Sequence, residues 1–238
     1  MRHRTIVGGV GLGVLMLAGS TLAGSISALS SRPTVSVHEP VRQKEPGTLS
    51  ASQPQLEQAV LRPSDLPEGA YSYTYISASP SPKTTVRRLP EPESCSLILR
   101  PENLLRDTGA AETTGQASSA LEGPTKVSQV LTTFARSDDA AETLQRIRRV
   151  TRNCTDFDAV LDDGTPVRVR VKTEPIDADT YALKLTMTGK GRVTNGILTL
   201  RRAGQVLAAL REIGDDGVAD SLKLVDVTLN RLTRGTPG

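Results

Sequence analysis

Three apolar runs decide the fold: YALKLTMT (Tyr181–Thr188), GILTLRR (Gly196–Arg202) and QVLAALREI (Gln205–Ile213), punctuated by Gly189-Lys190-Gly191 and Ala203-Gly204. Apolar runs of this length bounded by glycine turns read as strands joined in hairpins. Working outward, Val167–Lys172 alternates strictly between valine and a cation, and Val127–Ala135 and Tyr71–Ser77 add further strands. Between them Ser137 reads as an N-cap, with Asp138 and Asp139 where a helix dipole favours acids. Ala140, Leu144, Ile147 and Cys154 continue that helix as one buried stripe. Leu222, Val225, Leu229 and Leu232 mark a last helix, and Pro101 to Gly109 a short one with Pro at its first position. The reading is an α+β fold, an antiparallel sheet of about five to seven strands packed against helices, with one disulfide.

The composition limits what such a domain does. The chain has 238 residues, 4 Tyr, 2 Phe and no Trp, so its core is aliphatic and a carbohydrate module built on Trp platforms is excluded. The formal net charge is +3, from 29 basic and 26 acidic residues. Two of the basic residues, Arg2 and Arg4, precede an apolar run, Ile6 to Ala18, followed by small residues. That order is a secretory signal, and without it the chain is close to neutral, so the charge gives no reason to expect a nucleic-acid partner. Residues 1–29 read as a signal peptide, or as an N-terminal membrane anchor, since no charge falls between Thr5 and Ser31. Either places the remainder outside the cytoplasm, secreted or anchored, with membrane contact through the N-terminal segment. No Cys precedes Cys95, so a lipoprotein's attachment cysteine is not expected.

Of 15 prolines, 11 lie from Pro33 to Pro101. Residues 30–55 carry no apolar periodicity and read as a disordered linker, with an extracytoplasmic domain over 56–234. In an oxidising compartment Cys95 and Cys154 are expected to pair, two buried thiols being the alternative.

Both histidines, His3 and His38, lie in the signal and linker, so the folded part has no Ser-His-Asp system and no His-ligated metal site. No phosphate-binding loop motif occurs, and no cofactor or metal is implied. Asp162-Asp163-Gly164 and Asp215-Asp216-Gly217 read as turns, with a carboxylate-based hydrolase as the competing chemistry. Tyr71, Tyr73 and Tyr75 share one strand face, either filling the core or walling a small-molecule pocket. Arg168, Arg170 and Lys172 share a solvent face opposite three valines; that face is a solvated surface or a contact for an anionic envelope polymer or lipid. The expected function is an exported, non-enzymatic sensor-like or ligand-binding domain at the cell envelope, its partner an unknown small molecule, polymer or protein. A structural or protein-interaction module of the envelope is the alternative.

The order of elements also resembles a known family. Leu61-Arg62-Pro63-Ser64-Asp65-Leu66-Pro67-Glu68-Gly69 follows the proline-rich segment, Cys95 opens a helix, and a strand ends in Phe134. Asp138-Asp139-Ala140-Ala141-Glu142 starts a helix closing on Cys154, and Tyr181–Leu185, Ile197–Leu207 and the last helix follow. Residues 56–234 in this order resemble the extracellular sensor domain of PknH-type receptor kinases of mycobacteria and the stand-alone secreted actinobacterial proteins of that fold. The resemblance implies a cleft flanked by disulfides, of which this chain can form the Cys95–Cys154 bond.

Overall fold

In the computed structural model, which describes residues 49–78, 93–108, 112–161, 163–214 and 217–234, the alternating segments form one eight-stranded antiparallel sheet. The strands are β1 (Ser72–Ala78), β2 (Thr113–Glu122), β3 (Lys126–Phe134), β4 (Asp156–Val160), β5 (Pro166–Pro175), β6 (Thr180–Gly189), β7 (Arg192–Ala203) and β8 (Val206–Ile213). Five α-helical segments accompany them: α1 (Gln53–Ala59), α2 (Glu93–Ser96), α3 (Pro101–Thr108), α4 (Ser137–Thr151) and α5 (Val218–Arg234). The spatial order is β1-β2-β3-β8-β7-β6-β5-β4. The chain thus builds one edge, crosses through α4 to the other, and returns by hairpins until β8 docks on β3.

Eight strands exceed the expected five to seven, because β2 and β4 lack a strong apolar alternation in the sequence. The helix expected to be capped by Ser137 starts at that residue, with Arg136 in the extended cap position. The signal or anchor segment and linker residues 30–48 lie outside the described residues. The rest of the expected linker is a correction: Leu49 and Ala51 pack against the core, and the Gln205 amide donates to the Leu49 carbonyl at 2.7 Å. Order therefore starts before Leu56, in a helix whose Ser52 amide donates to Gln55 Oε1 at 2.8 Å.

The sheet has a core on each side. One holds α2, α3 and α4 over inward residues such as Phe134, Leu183, Leu198 and Leu207. Cys95 and Cys154, 59 positions apart in sequence, are bonded within it and tie α2 to the end of α4. The other holds α1 and α5 over Leu121, Leu131, Ala208 and Leu210. Gln129, fully buried, pins that layer: its Oε1 accepts from the Leu61 amide at 2.9 Å and its Nε2 donates to Thr228 Oγ1 at 3.2 Å. Arg231 on α5 donates to both carboxylate oxygens of Asp65 and to the Val60 carbonyl, which fixes the Leu61–Gly69 segment to the last helix. Among the described residues no helix is long and apolar enough to cross a membrane.

Candidate functional site

Helices are shorter than the sheet, and where they stop the sheet is bare. On the disulfide side α3 and α4 pack against β3, β7 and β8, covering the end of the sheet marked by Phe134, Leu200 and Leu207. Among the described residues no helix lines the opposite end, where β2 finishes and β3 begins. There a groove of about 770 Å³ runs across the sheet from Ala120 on β2 to Val167 on β5, closed at one end by the turn that holds Leu161, Asp163 and Thr165.

Register explains the floor. Glu122, Lys126, Ile213 and Gly196 sit in one cross-strand row, and Met187, paired with Thr194, in the next. Gly196 has no alternative, since a Cβ would lie 2.7 Å from the Glu212 carbonyl oxygen. Residues 192–195 of β7 have no partner on β8, so the β6–β7 hairpin projects beyond its neighbour as a wall. Its tip is a tight turn with Lys190 and Gly191 both at positive φ, 49° and 73°. Lys190 Nζ donates to Thr165 Oγ1 at 3.0 Å and so ties that tip to the β4–β5 turn.

Polar groups are set along the rim. Asp163 Oδ1 accepts from the Thr165 amide at 2.9 Å. That bond, a further one to the Thr165 side chain, and the charges of Lys190 and Lys126 hold the Asp163 carboxyl below the usual range. A general acid needs the opposite shift, so Asp163 is an ionised rim group here and not a proton donor. Arg211 Nη2 donates to Ser128 Oγ at 2.9 Å. No group of three or more His, Cys, Asp or Glu that could hold a metal occurs among the described residues. Asp162, Asp215 and Asp216 lie outside them.

The residues singled out from sequence fall elsewhere. Arg168, Arg170 and Lys172 lie on the other sheet face, beside the reach of α5. Arg168 Nε is 2.5 Å from Asp156 Oδ1 and its Nη1 3.2 Å from Asp158, while Lys172 Nζ is 3.0 Å from Glu174. Tyr71 is half-buried near Thr125. Tyr71 packs against the core, but Tyr73 and Tyr75 are 41% and 38% exposed, so of the two alternatives the core-filling one is corrected for this pair, because β1 is the edge strand. Phase along β1 puts both on the face away from the groove, opposite Leu121 and Ser119. A second hollow, about 470 Å³, lies between Arg152, Ile176 and Tyr181. Arg148, which lines it, is committed to structure, stacked on Tyr181 and donating to the Asp177 and Thr180 carbonyls at 2.8 and 2.9 Å. Sequence reasoning missed the groove's Lys126, Lys190, Arg192 and Arg211, because six strands supply its lining a few residues each.

The architecture matches the extracellular domain of PknH from Mycobacterium tuberculosis, with a TM-score of 0.59, 15% identity, and coverage of 79% of this chain and 100% of that one. The chain has the PknH extracellular-domain fold. A putative uncharacterised protein, the Rv0999 ortholog from Mycobacterium smegmatis, overlaps 77% of this chain and 97% of its own at 12% identity and a TM-score of 0.40. No family model and no curated protein matches the sequence. The resemblance read from Leu61–Gly69, Cys95, Phe134 and Cys154 is therefore seen in the PknH fold and not in sequence identity.

Proposed function

We propose that the folded body is a non-enzymatic, extracytoplasmic sensor-like domain that binds its ligand in the groove over the bare end of the sheet. The observation that carries this is the groove itself, a concavity within the size range of small-molecule sites, with an apolar floor and converging polar groups. The shared fold with a kinase's extracellular domain and the buried disulfide support a location outside the cytoplasm. Native mass spectrometry of the full chain purified from its own host tests the reading. The expected result is a co-purified small molecule, lost when Ala120→Trp fills the groove from β2. A chain without any bound species, or one equally retained by the variant, overturns it.

Tyr73 and Tyr75 favour a second reading. Two exposed tyrosines on an edge strand are a recognisable protein-contact surface, since tyrosine is enriched at interfaces. An envelope interaction module would then use the β1 edge and leave the groove empty.

A further inference from the structure

The groove's chemistry points to a class of ligand, and this step rests on the groove being the binding site. Its floor is apolar, built from Leu161, Val167, Met187 and Ile213. Its rim carries four cations, Lys126, Lys190, Arg192 and Arg211, and two carboxylates, Glu122 and Asp163. Lys126, Lys190 and Arg192 are exposed and take part in no ion pair within 4.0 Å among the described residues. These cations do not come from one element. Lys126 opens β3, and Lys190 and Arg192 sit on the projecting β6–β7 hairpin. Both sources act on Asp163, which feels the charge of Lys190 and of Lys126. An apolar trough with an excess of positive charge at its edge is complementary to a molecule with the same two parts.

We propose that the groove takes an anionic amphiphile, a single acyl chain lying on the Met187–Ile213 floor with its acidic head group at the Lys126–Arg192 rim. The chain covers Leu161 and Ile213, the part-exposed apolar residues of the floor, beside Val167 and Met187, which already belong to the core, and burial of apolar area is the general driving force. The head group meets Lys126, Lys190 and Arg192, which among the described residues stand with two rim carboxylates, Glu122 and Asp163. An unsubstituted polar ligand would leave Leu161 and Ile213 part-exposed, and a neutral lipid would offer no counter-charge to Lys126 and Arg192.

The test is a titration of the full chain, labelled with ¹⁵N, by four probes sharing a dodecyl chain at concentrations below micelle formation: dodecanoate, dodecyl phosphate, dodecyl maltoside and dodecyltrimethylammonium. The expected result is saturable shifts at Met187, Ile213 and Thr194 with both anions, and binding about tenfold weaker or less with the other two heads. Lys126→Gln with Arg192→Gln, both exposed, should bring the anions down to the maltoside level while leaving maltoside binding unchanged. The carboxylate and phosphate arms show which acid the rim prefers. Equal binding of all four heads in the groove overturns the anionic assignment while the groove reading stands. Preference for trimethylammonium also overturns it. Shifts confined to another surface, or none with any probe, overturn the amphiphile altogether and leave the groove to be judged by the co-purified molecule.

Discussion

Over β4, β5 and β6, on the face that α5 only partly reaches, the bare sheet shows alternating charges that answer one another: Arg168 with Asp156 and Asp158, Lys172 with Glu174. Diagonally across, on the disulfide face, the groove shows an apolar floor and three cations, Lys126, Lys190 and Arg192, that no acid among the described residues takes up in an ion pair. The two regions have similar composition on paper, valines and basic residues on strands. Their difference is in partners. A charge whose partner lies one strand away is satisfied by the fold, whereas Lys126 and Arg192 are held at a concave edge and remain available. Clusters of cations become informative about ligands only after their carboxylates have been located.

The most drastic way to break this comparison is to release the helix layer that ends at the groove. Cys95→Ala with Cys154→Ala opens a loop of 59 residues, and the chain-entropy model assigns such a closure about 4 kcal/mol. Denaturant unfolding should show a loss of that order, with NMR signals of α2 and β4, which meet at the disulfide, broadening before those of β2. A loss below about 1 kcal/mol would mean that α2 and α4 stay in place by packing alone.

The next effect is smaller and lies where floor meets core. Gly196→Ala puts a methyl group 2.7 Å from the Glu212 carbonyl, so β7 and β8 must separate there. Overpacking of this kind costs about 1–3 kcal/mol. The mutation should also weaken ligand binding in the groove more than Ala substitution at Thr186, on the other face. Equal stability of G196A and the parent chain would remove the close strand approach from the account of the groove floor.

These two positions differ in how far sequence announced them. The cysteines stand out in any exported chain. Gly196 reads only as the start of a run, because the carbonyl it avoids comes from another strand. The same logic separates the strands. β5 to β8 were legible since large aliphatic residues alternate or run through them. β2 was not: its inward residues are Gly115, Ala117, Ser119 and Leu121, small because α1 lies close. A Cβ on Gly115 would stand 2.9 Å from Gln53 Oε1 and 3.1 Å from Leu56 Cδ1. Close packing erased the hydrophobic signal that normally marks a strand. β4 hid for another reason. Its outward Asp156 and Asp158 make Asp-Phe-Asp look like a loop, though they are there to meet Arg168 across the ladder. For Tyr73 and Tyr75 the periodicity was legible and the burial was not, since position at the sheet edge is a property of topology.

A milder perturbation sharpens the ion-paired region. A hydrogen bond from Arg168 holds the Asp156 carboxyl below its ordinary value of 3.8, and one from Lys172 holds Glu174 below 4.5. A carboxyl depressed in the folded state contributes stability above its unfolded value, and that contribution is lost as pH falls through the folded one. The pairs therefore persist at neutral pH and release only in acid below those values. Carboxyl ¹³C titration should show Asp156 rising toward its ordinary midpoint in Arg168→Gln, with Asp163 unmoved. A midpoint that stays low in the variant would place its cause elsewhere than in Arg168.

The smallest expected effect tests whether paired cations recruit an anionic surface. Exposed Arg and Lys near an anionic lipid surface each contribute about 1 kcal/mol when their charge is uncompensated. Three such residues would together change binding by about two orders of magnitude. On β5, however, Asp156, Asp158 and Glu174 stand among Arg168, Arg170 and Lys172, and a vesicle meets both signs within a single Debye length of about 8 Å. Their fields cancel at the distance where a membrane would feel them. Changing Arg168, Arg170 and Lys172 together to Gln should therefore alter binding to phosphatidylserine vesicles by less than about twofold at physiological salt. The same measurement on Lys126→Gln with Arg192→Gln supplies the internal comparison, because those cations take part in no ion pair within 4.0 Å among the described residues. A tenfold loss in the β5 variant would show that the carboxylates do not neutralise the strand, and would make its outer face a membrane contact in its own right.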